Sequence, residues 1–150
     1  MSNWLKRAVL AAATVALVGG VGIGLSQAQD DPIKQRQAIM KGNGDSMKAI
    51  KAAVDANGPA AGIAPEAAKI AMQLGEAPKR FPAGTDKGET KASPDIWANK
   101  ADFDKLAADT VAAAKKLEAS AKGGDMKVAA ADFGDLGKTC GACHNKYRLK

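Results

Sequence analysis

The sequence is poor in the residues on which many metal sites and sheets depend. Its 150 residues include one histidine and two cysteines, and aromatic side chains make up 4% of a chain that is 46% apolar. A structural zinc site needs four Cys or His ligands, so these three residues cannot complete one. The chain also lacks runs of β-branched residues and is rich in alanine, which favours packed helices over sheets. We therefore expect a single all-α domain.

The two cysteines and the histidine lie together near the C-terminus, in the motif Cys140-Gly141-Ala142-Cys143-His144. This pattern is typical of a c-type haem attachment site, in which two thiols add across the vinyl groups and the histidine binds the iron. On a helix, spacings of three and four residues place all three side chains on nearly the same face. A thioredoxin-type pair would need a βαβ pattern, which is absent, and a plain disulfide would leave His144 unexplained. The motif predicts one covalent haem c per chain.

Residues 1–28 have the pattern of a signal peptide. Lys6 and Arg7 are followed by an apolar stretch and by the small residues that end at Ala28. The alternative is an uncleaved membrane anchor, because no charged residue occurs from Ala8 to Gln29. Either interpretation places the domain at 29–150 outside the cytoplasm, in the periplasm. The cleaved chain would carry a net charge of +4, two less than the whole chain, because the leader has two bases and no acid. That charge suits encounters with redox partner proteins, and no basic run with interleaved aromatics predicts nucleic-acid binding.

Four helices are predicted between residues 29 and 150. They cover about 32–56, 65–75 and 100–122, and the fourth contains the haem motif; Asp31 should cap the first and Asp125 the fourth. A long connection at 76–98 should cross an end of the bundle, pinned by Phe81 and Trp97. Gly42 and Gly44 in the first helix indicate either a ligand pressed against that turn or a local irregularity. Two core-facing stripes are expected: Ile33, Met40, Met47, Ile50 and Val54 in the first helix, and Ala129, Phe133, Leu136, Cys140, Cys143 and Tyr147 in the fourth. The second stripe contains both cysteines, which predicts that the haem lies inside the bundle.

The sequence resembles the class II cytochromes c, the cytochrome c′ family. The resemblance rests on residues 33–37 in the first helix, 81–86 in the long connection and 140–148 around the motif, which lies near the N-terminus in class I cytochromes. It implies an antiparallel up-down-up-down four-helix bundle that encloses the haem. It also implies that Arg36 bonds a haem propionate and that Arg148 lies beside the proximal histidine. Met40 is expected to face the distal side of the iron, and homodimers are expected to form through the first two helices.

The resemblance leaves two functions open, and they differ at Met40. If Met40 is the sixth ligand beside His144, the protein belongs to the low-spin branch and is an electron carrier, our leading hypothesis. If the iron is five-coordinate and high-spin, the protein binds nitric oxide or carbon monoxide. We do not expect an enzyme, because no acid or base accompanies the motif and no second histidine is available.

Overall fold

The computed structural model describes residues 31–150; the predicted leader at 1–28 lies outside this range. The helices are α1 (Pro32–Asp55), α2 (Ala64–Glu76), α3 (Asp95–Ala98), α4 (Lys100–Lys122) and α5 (Met126–Tyr147), with short 3₁₀ helices at Ala60–Gly62 and Ala77–Arg80. The described residues contain no β-strand, only one isolated bridge between Ala92 and Arg148. The four long helices confirm the predicted all-α bundle. Over the same range, no helix combines the length and the hydropathy that crossing a membrane requires.

Side-chain caps fix the starts of the two helices that face the predicted site. Asp31 Oδ1 accepts hydrogen bonds from the backbone N–H groups of Ile33 (2.8 Å) and Lys34 (3.3 Å) at the start of α1. Asp125 Oδ1 caps α5 in the same way, at 2.9 and 3.1 Å. These bonds satisfy N–H groups that have no partner within a helix. Both caps were predicted from the sequence, and both are present.

The main core lies among α1, α2, α4 and α5, where α4 packs against both α2 and α5. The predicted stripe of α5 is confirmed: Leu136 and Tyr147 are buried, and Cys140 and Cys143 are half-buried. The stripe of α1 is only partly buried. Ile50 lies in the core, whereas Ile33, Met40, Met47 and Val54 are half-buried.

Besides Ile50, the buried residues of α1 are Arg36 and Ser46, and the apolar periodicity of the helix did not predict their burial. Periodicity identifies an apolar stripe, but it cannot show that part of that stripe faces a cavity instead of another helix. The half-buried positions Met40 and Met47 face such a cavity.

The long connection after α2 is a structured cap on one end of α5. It contains α3, and it places Phe81 and Ile96 in a second apolar cluster with Phe103 and Tyr147. Phe81 is buried as predicted; Trp97 is half-buried, and its indole N–H donates to the carbonyl of Pro82 at 2.9 Å. Backbone bonds from Ser93 to Tyr147 (2.9 Å) and from Leu149 to Lys91 (2.8 Å) tie the connection to the end of the helix that carries the haem motif.

Candidate haem site

The haem motif lies on α5 beside two adjoining cavities of about 320 and 210 Å³. Both cavities are lined by Met40, Phe103, Cys143 and His144. The larger one, here called the outer cavity, also reaches Arg36, Tyr147 and Arg148. The smaller one, the inner cavity, lies between α1, α2, α4 and α5, and Cys140 is part of its wall. Together they have the size of sites that hold small organic molecules, about 300–1,000 Å³.

Glycines widen the inner cavity on two opposite helices. No atom lies within 4 Å of the point where a Cβ would stand on Gly44 of α1 or on Gly137 of α5. A flat porphyrin fits such a wall, because there is no side chain to displace. Gly42 has a different role, since a Cβ there would lie 2.7 Å from Gln73 Nε2 of α2. α1 runs through both glycines without a break, so the structure shows no local irregularity there. Gly42 instead allows a close contact with α2, and the open space at Gly44 agrees with the ligand explanation.

Burial keeps the three titratable residues of the motif in their neutral forms. Cys140 and Cys143 are free thiols, and burial raises the pKa of each. Burial, followed by the nearby charge of Arg148, lowers the pKa of His144. Both effects keep the groups neutral at pH 7, so the imidazole keeps a nitrogen lone pair for iron. A bound haem supplies an iron that changes oxidation state and accepts axial ligands.

Met40 is the predicted site residue that lines the same two cavities as His144. It is half-buried on α1 and lines both cavities, as His144 does from α5. The two residues are 104 positions apart in the sequence, so only the packing of the bundle brings them to one space. Ligation of iron by Met40 stays a prediction.

Arg36 and Arg148 both line the outer cavity, in different ways. Arg148 is exposed, whereas Arg36 is only 3% exposed and its two terminal nitrogens donate four hydrogen bonds to the connection. The acceptors are Thr85 O (2.7 Å), Thr85 Oγ1 (3.0 Å), Thr90 Oγ1 (2.8 Å) and Arg80 O (3.4 Å). The guanidinium carbon also lies 4.9 Å from the ring centroid of Phe81. Burial lowers the pKa of Arg36, partly offset by Asp31. The structure thus gives Arg36 a role in holding the connection, and its predicted bond to a haem propionate stays a prediction.

Several residues at the site were not singled out from the sequence. Gly137 lines the inner cavity and lies three residues before Cys140 on the same helix face. That spacing was the available signal. Tyr147 O–H donates to Asp102 Oδ2 at 2.6 Å, a contact between α5 and α4 for which the sequence holds no signal. Among residues 31–150, no group of three or more Cys, His, Asp and Glu side chains could hold a separate metal ion.

An all-helical bundle whose last helix presents a CxxCH motif to an internal cavity defines a c-type cytochrome with one haem. Comparisons with known proteins agree with this class. The family model described as Cytochrome C' matches residues 31–148. Cytochrome c' of Rhodopseudomonas palustris is 36% identical over 141 residues, which cover 92% of this chain and 95% of the relative. Cytochrome c-556 of Agrobacterium tumefaciens (strain II Chrys) is 38% identical over 120 residues, or 79% of this chain and 97% of the relative. This chain belongs to the cytochrome c′ family and binds haem c covalently.

Solved structures extend the same result to the fold. A cytochrome c' described as having an unusual ligand-controlled dimer dissociation superposes with a TM-score of 0.75 at 34% identity, covering 85% of this chain and 99% of its own. The matches also include a nitric oxide complex of a variant of cytochrome c prime from Alcaligenes xylosoxidans, with a TM-score of 0.71, 30% identity and coverage of 79% and 94%. A carbon monoxide complex of another variant of that protein scores 0.72 at 30% identity and covers 80% and 95%. These relatives do not support the narrower prediction of the low-spin branch, because they include both cytochromes c' and cytochromes c-556.

Proposed function

We propose that this chain is an exported protein with one haem whose iron binds a diatomic gas, nitric oxide or carbon monoxide. The observation that carries the proposal is the inner cavity, which offers about 210 Å³ of space beside His144. Its walls are mostly apolar side chains, such as Ile70, Leu74 and Ala107. An iron held by His144 would therefore face apolar side chains on its other side, which suits a small apolar ligand. The gas complexes of the Alcaligenes xylosoxidans relative support the same chemistry for this family.

In this proposal the chain holds the haem through α5 alone. The sulfur atoms of Cys140 and Cys143 form the two thioether bonds, and His144 provides the axial nitrogen ligand. Arg148 and Arg36, on the wall of the outer cavity, provide positive charge for the propionates. Met40 packs in the cavity without binding the iron, so the other axial position stays open to gas.

A second function, electron transfer, is favoured by the position of Met40 in both cavities with His144. A thioether on the second axial position would give low-spin iron and raise its reduction potential. The protein would then exchange electrons with partner proteins and bind gas poorly. The state of Met40 separates the two functions.

The absorption spectrum of the reduced protein, with and without carbon monoxide, tests the proposal. We expect a broad high-spin spectrum and rapid binding of carbon monoxide. Sharp, well-separated α and β bands, with slow or weak binding, would overturn gas binding in favour of electron transfer.

Two methionine variants show whether Met40 is responsible for the observed spin state and carbon monoxide binding. If Met40 binds the iron, Met40→Ala changes a low-spin spectrum to a high-spin one and admits carbon monoxide; if it does not, the spin state stays the same. Met47→Ala is the matched control, because Met47 lies two turns further along α1 and lines the inner cavity only. It should leave the spin state unchanged under both functions.

Export to the periplasm belongs to the same proposal, since the motif and the leader pattern occur in one chain. Mass spectrometry of the purified holoprotein should place the mature N-terminus at Gln29 or within a residue or two of it. Intact Met1 on membrane-bound protein would support the anchor instead.

We also propose that two copies associate through α1 and α2. Met72 of α2 is 67% exposed, more than the other exposed large apolar side chains of residues 31–150, Val128 and Leu149. Sedimentation of the holoprotein should give twice the monomer mass, and Met72→Lys should weaken the association. A monomeric mass at all accessible concentrations would contradict this.

A further inference from the structure

Tyr147 places a buried phenol on the wall of the outer cavity. Its side chain is 3% exposed and lines that cavity together with Cys143 and His144. It follows His144 by three residues on α5, so the two side chains lie one turn apart on the same face. It is also the only tyrosine of the chain. A haem attached to the motif would therefore have one oxidisable phenol beside it.

The phenol has a proton acceptor already in position. Its hydroxyl donates to Asp102 Oδ2 of α4 at 2.6 Å, a length typical of a hydroxyl on a charged carboxylate. Lys146 Nζ donates to the same oxygen at 2.9 Å. A group that takes up a proton must lie within hydrogen-bond reach of it, and Asp102 does. Oxidation of Tyr147 can therefore release its proton without breaking into the surrounding core.

One other oxidisable ring, Trp97, is connected to Tyr147 through a chain of aromatic contacts. The ring centroids of Tyr147 and Phe103 are 5.5 Å apart, those of Phe103 and Phe81 4.8 Å, and those of Phe81 and Trp97 6.0 Å. Trp97 is half-buried and is the one tryptophan of residues 31–150. An electron hole that forms in the cavity thus has two possible places in the cluster.

The charges and hydrogen bonds around the two rings favour Tyr147. The indole N–H of Trp97 donates to the carbonyl of Pro82, which is not a base, so an oxidised indole would stay positively charged. The guanidinium carbon of Arg36 lies 5.7 Å from that ring and opposes such a charge. Lys146 lies 5.4 Å from the centroid of Tyr147, but a phenol that has lost its proton to a carboxylate forms a neutral radical.

We propose that Tyr147 is a redox-active residue, which gives one electron to the haem and its hydroxyl proton to Asp102 when hydrogen peroxide oxidises the reduced protein. Two electrons and two protons from solvent convert peroxide to two water molecules as its O–O bond breaks. Tyr147 supplies one electron and becomes a phenoxyl radical, and the other comes from the iron, which passes from iron(II) to iron(III). The phenol thus removes the second oxidising equivalent from the porphyrin.

Electron paramagnetic resonance of reduced holoprotein, mixed with one equivalent of hydrogen peroxide and frozen rapidly, tests the proposal. We expect a radical signal whose ring-proton splitting collapses in protein grown with ring-deuterated tyrosine. Because the chain has one tyrosine, this labelling assigns the signal to Tyr147 without a mutation. A signal that responds to ring-deuterated tryptophan instead would overturn the assignment.

Asp102→Asn tests the proton acceptor. It keeps an oxygen that can accept the hydrogen bond but removes the carboxylate, so most of the tyrosyl signal should be lost while peroxide still oxidises the iron. Asp109→Asn is the matched control, because Asp109 is also paired with a lysine on α4, and the two side chains are 47% and 46% exposed. An equal loss of signal in both variants would contradict the role of Asp102. Tyr147→Phe should bleach more haem per equivalent of peroxide, and unchanged bleaching would contradict protection of the porphyrin.

The proposal rests on the open axial position of the proposed function, because peroxide has to reach the iron. Met40→Ala opens that position under either function and separates the two proposals. If peroxide leaves the wild-type iron reduced but gives the tyrosyl signal in Met40→Ala, gas binding is overturned and the role of Tyr147 is supported. If peroxide oxidises the wild-type iron and neither protein gives the signal, the role of Tyr147 is overturned and gas binding stands.

Discussion

Cys140 and Cys143 are half-buried free thiols on the cavity walls, and burial raises the pKa of each. The two positions are not equivalent. Cys140 lines the inner cavity and packs against the main core, whereas Cys143 lines both cavities and packs against the second cluster. Each thiol thus belongs to a different part of the packing.

Replacing one of these thiols should change the attachment without abolishing it. Cys140→Ala should keep a single thioether through Cys143 and lower the yield of holoprotein. The unreacted vinyl group stays conjugated with the porphyrin, so the α band of the pyridine haemochrome should shift to the red. Acid–acetone extraction should leave the colour on the polypeptide, whereas the double variant with Cys143→Ala should release all of it. Complete extraction from the single variant would show that Cys143 does not hold haem.

At the scale of elements, Arg36 joins α1 to the connection that caps α5. Its four donated bonds reach residues 44 to 54 positions further along the chain, and its guanidinium lies over Phe81. Arg36 is therefore a main link between α1 and this part of the outer cavity wall, beside the bond that Gln37 Nε2 donates to the carbonyl of Glu89 at 2.8 Å.

Arg36→Leu should release the connection. A hydrogen bond to a charged group contributes about 1.5–3 kcal/mol, and losing the shared donor should lower the free energy of unfolding by at least that much. Urea unfolding measures the loss, and limited proteolysis should show new cleavage between residues 82 and 91. Lys41→Leu is the control on the same helix: it breaks only an exposed pair with Asp45, so the free energy of unfolding should hardly change. Equal losses in the two variants would contradict the role of Arg36.

Asp102 links α4 to α5 and should make that link sensitive to acid. Hydrogen bonds from Tyr147 (2.6 Å), and then from Lys146 (2.9 Å), lower the pKa of Asp102 below its ordinary value of 3.8. A carboxylate with a lowered pKa stabilises the fold above its unfolded-state pKa, and this contribution is lost as the pH falls through the folded-state value.

The difference in unfolding free energy between wild type and Asp102→Asn should therefore be present at pH 6 and shrink as the pH falls below 3.8. Urea titrations at a series of pH values measure it. Tyr147→Phe keeps the buried ring and removes the first donor, so it should flatten most of the same pH dependence. A difference that is constant from pH 6 to pH 3 would show that Asp102 is not held in its charged state by these bonds.

At the scale of the molecule, the two cavities separate part of α1 from α5, so the haem should be part of the core. Without it, Met40 and Met47 of α1 lose the apolar surface they pack against. The haem-free double variant Cys140→Ala/Cys143→Ala should unfold at a lower urea concentration and with a smaller m-value, because less surface is buried in its folded state. An unchanged midpoint and m-value would show that the helices pack fully without the cofactor.

The sequence by itself determined the four long helices, the capped starts of α1 and α5 and the shared helix face of the haem motif. These follow from local rules: Asp31 and Asp125 reach N–H groups two and three residues away, and the spacing of Cys140, Cys143 and His144 sets one helix face. Even the stripe of α5 was predicted correctly, because each of its positions meets the core through the helical period.

Only the tertiary structure decided the burial of Arg36, the pair of Tyr147 with Asp102 and the unpaired amide of Asn43. The partners of Arg36 lie 44 to 54 residues away and those of Tyr147 45 to 48, so no short-range pattern encodes them. Asn43 is notable for the absence of a partner, which appears only when the surrounding helices are in place. Whether Met40 can bind the iron is decided in the same way. It depends on how far α1 stands from α5, which is a property of the packed bundle.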